Sequence, residues 1–148
     1  MASTPKSTPL LFVYGTLMRG FPQARKRMAR AEFLGLGTIR ARLYDFGKYP
    51  GVRLCNADPG ERVRGELYRL RDSTAALREL DIYEQYFELA PRKSLFARKR
   101  THVTLDDGRS RSAWVYLYNR TMAGAKRIPG GCYRNSATSL PSSPEVGS

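Results

Sequence analysis

One glutamate lies where a helix would place it on a buried face. Leu77, Leu80 and Glu84 are spaced by three and four residues, so they share one side of a predicted helix over residues 74–83. A sheltered carboxylate can exchange protons with a reacting group. Burying an unpaired charge is costly, however, so such a residue is unusual. The spacing leaves two interpretations open: a functional carboxylate, or a solvated acid at a frayed helix end paired with Arg92.

A second candidate site follows the first predicted strand. Residues 10–14 are apolar or aromatic, and the side chains then shrink at Gly15 and Thr16. Consecutive backbone N–H groups at such a strand end can form a nest for an anion such as a carboxylate. Gly15 has no Cβ, which lets the backbone turn and lets a ligand approach closely. The alternative interpretation is an ordinary glycine turn.

The rest of the chain must position these two segments. Alternating apolar residues and turn signals predict strands, and a basic segment over residues 23–31 predicts a second short helix. We expect a bulge near Gly65, where the alternation slips, and a hairpin at residues 106–108. The pattern indicates a mainly antiparallel, barrel-like α+β domain. The predicted strands cover residues 10–14, 33–39, 40–46, 52–54, 62–70, 92–105 and 112–118.

Length and composition limit the possible classes of protein. The chain has 148 residues, of which 41% are hydrophobic, which fits one globular domain. We predict a flexible leader over residues 1–9, a domain over residues 10–134 and a disordered tail over residues 135–148. No apolar run has the length of a membrane span, and residues 1–9 lack the apolar centre of a signal peptide, so we expect a cytoplasmic protein with no membrane partner. Two cysteines and one histidine argue against a metal site or a disulfide framework.

The charge is strongly basic. Lysine and arginine number 26 against 13 acidic residues, which gives a net charge of +13. Such a chain attracts polyanions at low salt. The basic residues are spread along the sequence and no nucleic-acid-binding motif is present, so we expect only non-specific electrostatic contact with nucleic acid. A basic nucleic-acid-binding protein is the less favoured alternative.

Five stretches, taken in order, resemble motifs of the gamma-glutamylcyclotransferase-like family. The form of the first stretch is similar to the gamma-glutamylamine cyclotransferase branch and its small bacterial relatives. Each motif alone is weak, but five in the expected order over residues 10–133 are fairly specific. The stretches read FVYGTL at 12–17, YDFGKYPG at 44–51, VRGELY at 63–68, LDIYE at 80–84 and WVYLY at 114–118.

The resemblance implies a small, partly closed β-barrel flanked by short helices. The activity it implies is cyclisation of a γ-glutamyl group to 5-oxoproline with release of an amine or amino acid. Glu84 matches the family's catalytic position and would act as general acid/base. The loop formed by Tyr14, Gly15, Thr16 and Leu17 would bind the substrate carboxylate.

The resemblance also bears on the walls of the site and on partners. Tyr14 and Tyr118 would form walls of the site, although core packing is an equal alternative for Tyr118. No metal or organic cofactor is needed, the partner is a small γ-glutamyl substrate, and we expect a monomer or weak homodimer. The alternative is a binding module of the same fold that has lost activity.

Overall fold

The computed structural model describes most of the predicted domain. The described residues are 9–133 without 16, 22–23, 25–26, 30, 47–48, 56–59, 72, 87–88, 90, 121–124 and 130. Thr16, the predicted leader apart from Pro9, and the predicted tail therefore lie outside the described residues.

Seven strands and one α-helix make up the fold of the described residues. This composition confirms the predicted α+β class, and helix α1 matches the helix predicted over residues 74–83. A single 3-10 turn, Pro91–Lys93, lies between α1 and β5. The elements are β1 Leu10–Val13, β2 Glu32–Asp45, β3 Pro50–Leu54, β4 Arg62–Arg69, α1 Ser73–Tyr83, β5 Phe96–Leu105, β6 Ser110–Tyr118 and β7 Lys126–Arg127.

Five of the strands close into a barrel. Their order is β2-β4-β1-β6-β5, and β5 pairs back onto β2 through Gly37–Leu105 and Thr38–Thr104. A Cβ at Gly37 would lie 2.8 Å from the Thr104 carbonyl oxygen, so closure at this point needs a glycine. All pairings in the barrel are antiparallel except β1–β6, where Leu11 faces Trp114 in parallel register.

The apolar residues form two clusters that share β1. The inner cluster fills the barrel and includes Phe12, Ile39 and Val63. The outer cluster packs the outer surface of β1, β4 and β6 against α1 and includes Leu11 and Leu80. Because strand residues alternate between faces, β1 is buried on both sides, which explains its continuous apolar sequence. The two clusters meet at the end of β1, where the predicted loop begins.

The predicted bulge near Gly65 is wrong. Gly65 pairs with Gly37 in uninterrupted register, and the register shift lies instead in β2, between Phe33 and Gly35. The alternation along β4 is hidden because both of its faces are covered. Leu67 lies in the inner cluster and Tyr68 in the outer one.

Other element boundaries also differ from the sequence prediction. Strand β5 begins at Phe96 and not at residue 92, because the segment before it turns at Pro91, which has no N–H to donate to a ladder. Strand β1 ends one residue earlier than predicted. The segments predicted as strands 33–39 and 40–46 form the single strand β2.

Two other predicted elements are present in whole or in part. The hairpin is confirmed, with Gly108 at φ 93° and its N–H donating to the Leu105 carbonyl at 2.9 Å. The second predicted helix falls partly outside the described residues. Within it, the Met28 N–H donates to the Ala24 carbonyl at 2.9 Å, the spacing of an α-helical bond. No helix in the described residues has both the length and the apolar character needed to cross a membrane.

Candidate active site

A cavity of about 300 Å³ lies between the end of the barrel and the C-terminal end of α1. It contains residues from both sequence-predicted segments: Tyr14, Gly15 and Leu17 from the loop after β1, and Glu84 from the end of α1. The remaining lining is mostly apolar or aromatic: Phe12, Val13, Tyr49, Pro50, Tyr83, Gln85, Leu95, Phe96 and Tyr116. Thr16 lies outside the described residues.

Glu84 is held at the end of α1 by the backbone. Its N–H donates to the Leu80 carbonyl at 2.8 Å, and Gln85, at φ 57°, then ends the helical path. Among the described residues, no side chain forms a hydrogen bond or ion pair with the Glu84 carboxylate, so the alternative pairing with Arg92 is not found. Desolvation raises the pKa of Glu84 to about 7. The side chain is therefore poised to gain or lose a proton near neutral pH.

Tyr14 presents a protonated hydroxyl to the same cavity. The hydroxyl donates to the Tyr116 carbonyl at 2.7 Å. Burial, and then the negative charge of Glu84, raise the pKa of Tyr14 well above its ordinary value. The Val52 backbone hydrogen-bonds to the Tyr14 oxygen and opposes this rise in pKa, so one lone pair of that oxygen remains to accept a ligand N–H.

The loop after β1 is a tight turn with two N–H groups that have no partner among the described residues. The Met18 N–H donates to the Gly15 carbonyl at 3.0 Å, which closes the turn. The N–H groups of Gly15 and Leu17 make no hydrogen bond to any other described residue. A Cβ at Gly15 would lie 2.7 Å from Cγ of Pro50, so packing against the Pro50 ring is a further reason for a glycine at this position.

The buried side chain of Glu66 holds the loop after β1 in place. Glu66 is 2% exposed, and its Oε1 accepts the Arg19 N–H at 2.9 Å and the Tyr68 hydroxyl at 2.8 Å. The Arg19 side chain also pairs with Glu66, at 3.5 Å. Sequence reasoning missed this role. The available signal was the position of Glu66 within a predicted strand, directly before the apolar Leu67 and the aromatic Tyr68.

A second carboxylate fixes the end of α1. Asp81 accepts the Tyr116 hydroxyl at 2.6 Å and the Arg98 Nε at 2.8 Å, while Arg98 Nη2 reaches its other oxygen at 3.1 Å. Arg98 is itself stacked 4.5 Å above the Trp114 ring. Burial, and then the bond to Asp81, raise the pKa of Tyr116, so its hydroxyl stays a donor. This network ties the turn of helix that precedes Glu84 to β5 and β6.

Tyr118 lies beside the cavity and not on its lining. Its ring stacks on Phe46 with centroids 3.9 Å apart and meets Phe96 edge-on at 5.8 Å. Packing against these aromatic residues is therefore its observed contact. Two residues that line the cavity contact Tyr118: Phe96, and Tyr49 with its ring centroid 6.5 Å away.

A larger cavity, of about 570 Å³, lies on the other side of the loop. It is lined by Phe21, Met28, Phe33 and small apolar residues, together with Arg19 and Tyr68. Both polar side chains are bonded to Glu66, and no described carboxylate lines this cavity. The smaller cavity is therefore the one with the groups needed for proton transfer.

The sequence matches the family model described as gamma-glutamyl cyclotransferase, AIG2-like, over residues 11–135. The chain belongs to this family. The matched region contains every residue that lines the cavity with Glu84.

Individual relatives agree with the gamma-glutamyl cyclotransferase family assignment. The chain is 35% identical over 123 residues to the gamma-glutamylcyclotransferase family protein YtfP of Escherichia coli K12, covering 82% of this chain and 92% of that protein. The solution structure of Escherichia coli ytfP covers 86% of this chain and 98% of its own, at 33% identity and a TM-score of 0.59. An AIG2-like protein from Mus musculus has the same fold, with a TM-score of 0.57 at 23% identity over 84% of this chain and 93% of its own.

Proposed function

We propose that this protein is a γ-glutamyl cyclotransferase that converts a γ-glutamyl compound into 5-oxoproline and a free amine. The observation that supports this activity best is Glu84, a carboxylate with a pKa of about 7 in a cavity at the end of α1. The family to which the chain belongs is consistent with this reaction.

The proposed reaction needs one group that can move a proton in both directions. The substrate's α-amino group attacks its own γ-carbonyl carbon, a C–N bond forms within a five-membered ring, and the original C–N bond to the leaving amine breaks. The α-ammonium must lose one proton before the attack, and the new ring nitrogen must lose a second as it becomes an amide. The departing nitrogen gains both and leaves as an ammonium. Glu84 takes the first proton and passes it to the departing nitrogen, and it can carry the second proton in the same way. A pKa near 7 suits both steps at neutral pH.

Substrate positioning supplies the other part of the proposed rate enhancement. The N–H groups of Gly15 and Leu17, which have no partner among the described residues, would bind the α-carboxylate, and the Tyr14 oxygen would accept a hydrogen bond from the α-amino group. These contacts would hold the substrate folded back on itself, with the amine against the γ-carbonyl. Because binding already holds the reacting groups at contact distance, much of the entropic cost of bringing them together no longer contributes to the activation barrier.

The test is 5-oxoproline release from a panel of γ-glutamyl compounds. The panel contains γ-glutamyl amino acids, simple γ-glutamyl amines, γ-glutamyl-ε-lysine and glutathione. We expect turnover of at least one class. Absence of 5-oxoproline from every member, with folded protein that binds 5-oxoproline in a calorimetric titration, would instead identify a binding module of the same fold.

We expect Gly15→Val to weaken binding of 5-oxoproline about tenfold. A Cβ at this position would lie 2.7 Å from Cγ of Pro50, so the loop must move away from its present position and its N–H groups move with it. Calorimetric titration with 5-oxoproline measures the effect. Gly15→Ala introduces the same Cβ without the branch and should give a smaller loss in the same direction. An unchanged affinity in a folded Gly15→Val protein would remove this loop from substrate binding.

A further inference from the structure

The larger cavity, of about 570 Å³, has the composition of a binding site for a small apolar molecule. Ligand pockets in proteins have volumes of about 300–1,000 Å³ and are mostly apolar, with a few polar groups that fix the ligand. Here the polar side chains among the described residues are Arg19 and Tyr68, and the largest apolar ones are Phe21, Met28 and Phe33. The proposed reaction uses none of these side chains.

Aromatic contacts hold two walls of the larger cavity in place. Phe21 stacks on Tyr133 with ring centroids 5.8 Å apart, and Phe33 meets Tyr68 edge-on at 5.6 Å. Phe33 is nevertheless 37% exposed, so the cavity has an apolar rim that a ligand can cover. The unbranched side chain of Met28 can adjust to ligands of different shape. The cavity therefore offers an apolar ligand preformed aromatic walls.

Arg19 supplies a positive charge at this rim. Its side chain is 59% exposed, and its guanidinium carbon lies 3.9 Å from the centre of the Phe33 ring. Its Nε lies 3.5 Å from Oε2 of Glu66, which is longer than an ordinary N–H···O bond. An exposed guanidinium held at this distance can turn to a carboxylate in the cavity. Glu66 would still accept the Arg19 N–H and the Tyr68 hydroxyl.

We propose that the larger cavity binds a small apolar molecule with one carboxylate, such as an arylalkyl carboxylate, whose carboxylate pairs with Arg19. A planar guanidinium binds a carboxylate through two parallel hydrogen bonds. No described carboxylate lines this cavity, and the net charge of +13 attracts anions. A cationic ligand would meet like charge at Arg19.

This site is separate from the cavity that contains Glu84. No described residue lines both cavities. The inference therefore does not depend on the proposed cyclotransferase activity, and a ligand in the larger cavity leaves the smaller one open to substrate.

The experiment compares two ligands that differ at one end, 4-phenylbutyrate and 4-phenylbutanol. The full chain is labelled at the methionine methyl carbons, and Met28 is one of four methionines. We expect nuclear Overhauser effects between the phenyl ring and the Met28 methyl group. Titration should show that 4-phenylbutyrate binds about fivefold tighter than the alcohol, the gain of one partly exposed ion pair. Arg19→Gln should remove this difference and leave the affinity for the alcohol unchanged.

Two pairs of variants provide matched controls. Arg109→Gln removes the same charge from a side chain that is 54% exposed and paired with Asp107, and it should change neither affinity. Ala29 is exposed and lines the cavity, so Ala29→Phe should fill the cavity and remove binding of both ligands while the protein stays folded. Ala75→Phe makes the same change at an exposed position of α1 that does not line the cavity, and it should leave binding intact.

Four results would each overturn the proposal. If neither ligand binds at millimolar concentration, the cavity is not a site for this class of molecule. Equal affinities for the two ligands would show that Arg19 does not recognise the carboxylate. If 4-phenylbutyrate still binds to Ala29→Phe, it binds elsewhere on the protein. Nuclear Overhauser effects from Met28 to residues 134–148, or to a second molecule of this chain, in the absence of added ligand would show that the chain itself covers the cavity.

Discussion

Replacing Glu84 with Gln is expected to lower the rate of 5-oxoproline release by about 100- to 10,000-fold while leaving the protein folded. Glutamine has nearly the same size and fits the same place at the end of α1, but it cannot take up the proton of the substrate α-ammonium. The measurement is kcat for the best substrate of the γ-glutamyl panel. Glu79→Gln makes the same change at an exposed position of α1 and should leave kcat unchanged. Equal kcat in wild type and Glu84→Gln would exclude Glu84 from the mechanism.

The pH dependence of the same two proteins adds a second readout. The base form of Glu84 is the carboxylate, and its pKa is about 7. The wild-type kcat should therefore rise with pH through about 7 and level off above it. The residual rate of Glu84→Gln should have no rise in that range, because glutamine does not titrate.

Stability should change in the opposite direction to activity. Burial raises the pKa of Glu84 from 4.5 to about 7, so the folded protein holds this proton more tightly than the unfolded chain does. The free energy of unfolding then falls as pH rises between those two values, by up to about 3 kcal/mol. Glu84→Gln removes this loss and should be more stable than wild type at pH 8. Denaturant unfolding at pH 5 and pH 8 measures it and also shows that the variant is folded.

The features that could be predicted from the sequence are those that local spacing determines. The position of Glu84 follows from helical periodicity, since Leu77 and Leu80 mark the side of α1 that is buried. The hairpin at residues 106–108 follows from the glycine in its turn, because the turn needs a positive φ, which Gly108 adopts. The barrel class follows from the succession of strand and turn signals. None of these requires knowledge of which distant segments meet.

The features that sequence reasoning missed depend on non-local contacts. Glu66 and Arg19 are 47 positions apart, and Asp81 and Arg98 are 17 apart, so their pairing depends on how the strands and α1 dock. The misplaced bulge has the same origin, because burial of both faces of β4 conceals its alternation. For Tyr118 the sequence left a site wall and core packing as equal alternatives, and the direction of its ring depends on the contact with Phe46, which follows β2.

Replacing Asp81 with Asn is expected to lower kcat about 10- to 100-fold, although Asp81 does not contact the substrate in the proposed mechanism. Asp81 holds the last turn of α1 through Arg98 and Tyr116, and the Arg98 side chain is only 13% exposed. Asparagine leaves this guanidinium without a compensating charge, which costs about 2–3 kcal/mol of stability. The end of α1 then loses its fixed position, and Glu84 moves with it. A displacement of about 1 Å at a reacting group is enough for a loss of this size.

Two readouts separate positioning of Glu84 from a merely structural role of Asp81. If Glu84 becomes more exposed, its pKa falls, so the rise of kcat with pH should shift below its wild-type midpoint near 7. The double variant Asp81→Asn/Glu84→Gln should be no slower than Glu84→Gln alone, because the two residues act through one proton transfer. Asp106→Asn, which breaks the exposed pair with Arg64, is the control and should change neither kcat nor the pH profile. A loss of stability in Asp81→Asn with kcat and the pH midpoint unchanged would contradict the positioning role, because a helix end that had moved would carry the carboxylate away from the substrate amine.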